Sequence, residues 1–150
     1  MQNGRSKKIE MSLKKAYLFN KLGILDSGYG SLTVLDALLK EDIASQYVIY
    51  ADNKNAPWGD KEESVLWPLV KKAVQFLKNQ EIDALVLGCN TTDSLFAKRI
   101  AELVSVPVFG LISYGAIKAA LLSQNKHIVP LATQQRTSIS LGLKSTHLVI

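Results

Sequence analysis

Short apolar runs alternate along this chain with longer amphipathic stretches, and few architectures accept that pattern. The runs are LGILD (22–26), YVIYAD (47–52), DALVLG (83–88), VPVFGL (106–111), HIVPLAT (127–133) and THLVI (146–150). Each has strand length and strand composition. Between them lie helical patterns. LTVLDALLKE puts Leu32, Leu35, Leu38 and Leu39 on one expected face. A longer pattern reaches about Gln80 with Val65, Leu66, Leu69, Val70, Ala73, Phe76 and Leu77 as its stripe. Pro68 lies inside that stripe and predicts a kink or a restart. Further helices are predicted from about Asp93 to Val104, near Tyr114–Gln124, and from about Arg136. Pro130 cannot donate a ladder hydrogen bond, which predicts an edge or irregular fifth strand. Strands and helices in this order imply a doubly wound α/β domain, a parallel sheet with helices on both faces.

Charge separates the chain into two parts. The formal net charge is +5. Residues 1–21 hold Arg5, Lys7, Lys8, Lys14, Lys15 and Lys21 against Glu10 alone, which accounts for all of it. Residues 22–150 are neutral, so nucleic acid is not an expected partner of the domain. The expected organisation is a basic N-terminal extension (1–21) and one α/β domain (22–150). The lysines interrupt any apolar core that a signal peptide would need. No run approaches the ~18 apolar residues of a membrane span. One cysteine cannot form an internal disulfide, which fits a reducing cytoplasm.

Ligands of open parallel sheets bind beyond the carboxyl ends of the strands. Those ends carry Asp26-Ser27 and a glycine turn, Asp52 through Gly59, Cys89-Asn90-Thr91-Thr92, Gly110 through Tyr114, and Thr133. Small donors, acceptors and a thiol on one rim suit a compact polar ligand. In DSGYGSLT, Gly28 and Gly30 have the spacing of a dinucleotide turn, with Asp52 at about the distance of a ribose-binding acid. Thr33 stands at the third glycine position, however, and Asp26 would put negative charge beside the phosphates. Cys89 is the one thiol. A free cysteine is often plain core packing, but a strand end before a helix N-terminus favours a thiolate. His127 and His147 lie in strand patterns and offer it no evident help. No second cysteine or close His/Asp/Glu group suggests a metal site.

Taken together, DSGYGSLTVL, IYADNKNAPWGDK, LVLGCNTTDS, PVFGLI and LAT-x3-T resemble the N-terminal half of glutamate racemase, in the same order, from about Gly23 to Thr137. The resemblance implies the first domain of a two-domain racemase-like fold that encloses free glutamate. It implies no cofactor and two cysteines on opposite faces of the α-carbon, one removing the proton and the other returning it. Within it, Cys89 matches the catalytic thiol of the first domain. Asp26 and Ser27 match the pair lining the substrate, with Asp26 assisting the thiol. Asn90 and Thr91 match residues that hold the amino acid's polar groups, Trp58 and Gly59 match a Tyr-Gly pair, and Thr133 approaches the site.

The departures are specific. Gly30-Ser31 stands where the family has Gly-Gly, and Trp58 where it has Tyr, which alters volume and removes a hydroxyl. The family's second cysteine, in a Cys-Thr-His motif, has no counterpart here, so the expectation is a truncated racemase, inactive alone, whose family role is D-glutamate supply for peptidoglycan. Two other readings stand beside it, a non-catalytic amino-acid-binding or regulatory fragment and an aspartate racemase relative. The expected protein partner is a second copy in a homodimer or the missing second domain.

Overall fold

The computed structural model of the protein describes residues 17–124 and 128. The described chain runs β1 (Phe19–Asp26), α1 (Ser31–Lys40), β2 (Ala44–Ala51), α2 (Glu63–Lys78), β3 (Ala84–Leu87), α3 (Asn90–Ala101), β4 (Val108–Gly110) and α4 (Ile112–Leu122). The four strands form one sheet in the order β2-β1-β3-β4. All pairs are parallel, with Leu22 opposite Tyr47 and Ala84, and Leu85 opposite Val108. The doubly wound α/β expectation holds. The elements expected at 127–133, from Arg136 and at 146–150 lie outside the described residues, as do Pro130, Thr133 and both histidines.

Alternation along the strands builds two cores. On one face Leu25, Leu85 and Leu87 pack against Leu66, Val70, Ala73, Val74 and Leu77 of α2 and Phe96 and Ile100 of α3. On the other, Leu22, Ile24, Ala84 and Val86 meet Val34, Leu35 and Leu38 of α1. Gly23 shares the first face, and a Cβ there would come within 2.7 Å of Ile82 Cδ1. Its lack of a side chain lets the Ile82 turn close over the sheet. Burying chains of this size contributes about 1.5–3 kcal/mol each, so β1 and β3, packed on both sides, anchor the domain. No helix among the described residues is long and apolar enough to cross a membrane.

Several local expectations are corrected. β1 begins at Phe19, so the last residues of the expected extension are strand. Asp83 Oδ2 accepts the backbone N–H groups of Asn20 and Lys21 at 2.9 and 2.8 Å, and Lys21 Nζ donates to the Gln80 carbonyl at 2.8 Å. These polar ties extend the strand past its apolar run. In α1 the inward stripe is Ser31, Val34, Leu35 and Leu38, whereas Leu32 and Leu39 are half exposed. In α2 Val65 and Phe76 lie outside the buried stripe. Phe76 instead meets the Tyr50 ring at 5.4 Å. α3 starts at Asn90 and so contains Asn90 and Thr91 in its first turn.

α2 passes through Pro68 as a single helix. Pro68 is exposed in the second turn, where its ring meets solvent and the missing N–H leaves only the Ser64 carbonyl without its helical donor. Pro68→Ala restores that donor and is expected to raise stability by roughly 1–3 kcal/mol, read from urea denaturation. A loss of stability would contradict the continuous helix.

Candidate functional site

β1 lies between β2 and β3, so the chain reverses its winding direction at the β1/β3 junction. That crevice is where open parallel sheets bind ligands. A cleft of ≈ 430 Å³ opens there. Its walls are the β1–α1 loop from Asp26 to Gly30, the β2–α2 loop from Ala56 to Asp60, and the β3–α3 junction from Gly88 to Thr91. Asp26, Ser27, Trp58, Gly59, Cys89, Asn90 and Thr91, all singled out from the sequence, line this one cleft.

Backbone bonds hold the walls together. The Leu25 carbonyl accepts the N–H of Gly88 at 2.9 Å and of Cys89 at 3.4 Å. The Asp26 carbonyl accepts the Asp52 N–H at 3.1 Å. The ends of β2, β1 and β3 are thereby locked side by side, with Cys89 directly beyond β3. Cys89 is the N-cap of α3, its backbone extended at φ −82° and ψ 114°. It is 7% exposed, with part of its surface in the core beside Leu25 and Trp58 and part in the cleft.

Two helix N-termini meet the cleft, and they are used differently. The amides of a helix's first turn carry partial positive charge and attract anions. At α1 that place is filled from within by the Asp26 carboxylate. It accepts the Ser27 N–H at 2.6 Å, and the nearby Gly28 and Ser31 amides favour its charged form. Gly30 makes this possible, since a Cβ there would stand 2.8 Å from Asp26 Oδ2. At α3 the N-cap side chain, Cys89, makes no cap hydrogen bond. Ser31 is buried and turns its hydroxyl onto the Gly28 carbonyl at 3.0 Å. The Gly-to-Ser departure therefore tightens the loop and stays out of the cleft.

This arrangement also bears on the dinucleotide pattern. The α1 N-terminus a pyrophosphate would need is occupied by Asp26. Asp52 is buried, and both its carboxylate oxygens accept from Asn55 Nδ2 at 2.9 Å. Neither residue is free for its role in that motif.

Trp58 lines the cleft with only the edge of its residue. Its side chain is 1% exposed and belongs to the core cluster with Leu66 and Val70, so its extra volume fills the core beneath the cleft. Its Nε1 has no hydrogen-bond partner among the described residues. Sequence reasoning passed over Tyr29 and Asp60, which also line the cleft. Both lie in loops already flagged, but neither has a local pattern that separates a cleft residue from a solvated one. Among the described residues no three His, Cys, Asp or Glu side chains gather to hold a metal ion.

Asp26 is 5% exposed. Burial raises its pKa from the ordinary 3.8, against the opposing pull of the Ser27, Gly28 and Ser31 donors. With a folded pKa above the unfolded one, its contribution to stability is fully present below about pH 3.8 and is lost as pH rises through the folded value. Asp26→Asn removes this dependence. The stability of the native protein relative to Asp26→Asn is therefore expected to fall between acid and neutral pH, in paired urea titrations. A relative rise would overturn the burial argument.

With that geometry in place, likeness to known proteins becomes informative. No protein-family model matches the chain. Glutamate racemase of Leptospira interrogans is 40% identical over 114 residues, 75% of this chain and 44% of the relative. A glutamate racemase isoform from Bacillus anthracis superposes with a TM-score of 0.70 at 31% identity, covering 73% of this chain and 41% of that one. The Thermus thermophilus glutamate racemase, solved in complex with β-chloro-D-alanine, superposes with a TM-score of 0.65 at 30% identity, covering 76% and 44%. The chain spans less than half the length of the curated relatives it matches. In both sequence and fold, this chain resembles glutamate racemase over that part of the enzyme's length.

Proposed function

We propose that these residues form one half of the active site of a cofactor-independent amino-acid racemase acting on glutamate, with Cys89 as the base on one face of the α-carbon. The observation that carries the reading is the junction at the end of β3. A single, nearly buried thiol shares a cleft with a buried carboxylate and with the uncapped N-terminus of α3.

The chemistry follows from what each group can do. Removing an α-proton from an amino acid drives negative charge onto its carboxylate. Donors aimed at that carboxylate stabilise the transition state more than the ground state. The α3 amides, with Asn90 and Thr91 in the first turn, are suited to hold it, and Ser27 and the Gly59 backbone close the opposite wall. Cys89 takes the α-proton at its sulfur. Asp26, whose affinity for a proton is raised by burial, suits a group that exchanges a proton with the neighbouring thiol. The Thermus relative's complex with β-chloro-D-alanine supports a small D-amino acid as the ligand class. Supply of D-glutamate to peptidoglycan, in the cytoplasm, is the physiological role that goes with this reading.

Inversion needs a second base on the far face. The sequence holds one cysteine, so a two-thiol route takes its other thiol from outside these residues. Association with a second domain, or with another copy that completes the cleft, is part of the proposal. These 150 residues alone then bind glutamate without inverting it. The single thiol equally favours a second reading, an amino-acid-binding module that performs no proton transfer.

The test is α-deuterium incorporation into D-glutamate in D2O, followed by proton NMR, with the chain complemented by the remaining part of a relative. Exchange is expected with Cys89 and is expected to drop at least about 100-fold in Cys89→Ser while binding persists. Binding without exchange in the complemented protein would favour the non-catalytic module. Exchange that survives in Cys89→Ser would reject Cys89 as the base.

A further inference from the structure

α4 is an unusual element. None of its residues is buried, and Tyr114, Ile117, Leu121 and Leu122 are well exposed. Its N-cap, Leu111, supplies no side-chain cap. Asp93 Oδ2, on α3, accepts the Ile112 N–H at 2.8 Å and so ties the start of α4 to another element. Asp93 lies directly against Gly110, where an added Cβ would collide with the Asp93 carboxylate. The carboxylate is thus seated on the turn between β4 and α4, in a space that exists because residue 110 has no side chain. Asp93 also belongs to the first turn of α3, and its N–H donates to the Cys89 carbonyl at 2.9 Å, the bond that begins the helix. The same residue is therefore tied at its backbone to the thiol-bearing N-cap and at its side chain to a second helix N-terminus.

We propose that Asp93 is a positioning residue for Cys89: by anchoring the first turn of α3 to the β4–α4 turn, it holds the α3 amides in place around the thiol. The role for catalysis rests on the functional reading above, but the positioning does not. Charge and anchorage act in opposite directions. Asp93 sits one turn from Cys89, so its negative charge opposes the thiolate, as do Asp26 and Asp60 and, at high pH, Tyr29 from the other cleft walls. Its anchorage favours the thiolate by keeping amide donors aligned. A residue that merely stabilised the fold would leave the thiol's titration unmoved.

Cys89 is the only cysteine, so the pH profile of alkylation of the intact chain by iodoacetamide reads this one thiol. Asp93→Asn keeps an acceptor for Ile112 and removes the charge, and its profile is expected to move down by about half a pH unit. Gly110→Ala keeps the charge but drives the carboxylate off its seat, and its profile is expected to move up by a similar amount, about half a unit. Asp93→Ala loses both effects and should lie above Asp93→Asn by the same margin. In the Asp93→Ala background, Gly110→Ala has nothing to collide with and should add no shift. If Asp93→Ala coincides with Asp93→Asn, and Gly110→Ala with the native protein, the anchorage does nothing for the thiol and the proposal fails. Glutamate exchange plays no part in this readout, so failure of the functional reading would leave the measurement intact.

Discussion

The site depends on one backbone joint. The carbonyl of Leu25, the penultimate residue of β1, receives the N–H groups of both Gly88 and Cys89 as the chain leaves β3. Asp26 and Cys89 are 63 residues apart, and this shared acceptor is what makes them neighbours. The joint is firm because both strands are buried on two faces, Leu25 and Leu87 under α2 and α3, Ile24 and Val86 under α1. Slipping the register by one residue would send each of these side chains to the opposite core, so the apolar packing itself keeps the thiol beside the carboxylate.

From that joint follows a division between two helix N-termini. At the start of α1 the Asp26 carboxylate, costly to bury, is offset in part by the backbone donors of Ser27, Gly28 and Ser31, while Leu32 and Thr33 donate to the Tyr29 and Gly30 carbonyls. At α3 the N-cap side chain, Cys89, makes no cap hydrogen bond. Each such terminus attracts an anion by roughly 0.3–1 kcal/mol, and at α1 the protein's own carboxylate takes that place. Gly30 and Gly110 play matching parts in this. Each is bare where an aspartate from a neighbouring element comes to rest, Asp26 over one and Asp93 over the other.

Much of this could be read along the chain. Short apolar runs bounded by turns mark strands at LGILD, YVIYAD and ALVLG. The position of Cys89, between the last apolar residue of a run and a cluster of small polar side chains, marks a strand-to-helix junction at a sheet's carboxyl edge. Those signals depend on neighbours a few residues away. Where the reading failed, the deciding partner was distant in sequence. Asp83 lengthened β1 by binding Asn20 and Lys21, and the sheet rejected Leu32, Leu39, Val65 and Phe76 from the buried stripes. Pro68 did not break α2, because its position faces water and the rest of the helix is held by packing.

The amino-acid order was enough to establish a parallel α/β domain, and a rim of small polar groups that includes the chain's single cysteine. The assembled fold alone could turn Asp26 inward onto α1, sink the Trp58 ring into the core, tie Asn55 to Asp52, and send Asp93 across to the start of α4. Periodicity reports which side of an element is apolar, through interactions local to that element. Which polar group meets which is set by strand order, and a β2-β1-β3-β4 sheet joins segments whose separation along the chain carries no trace of their contact.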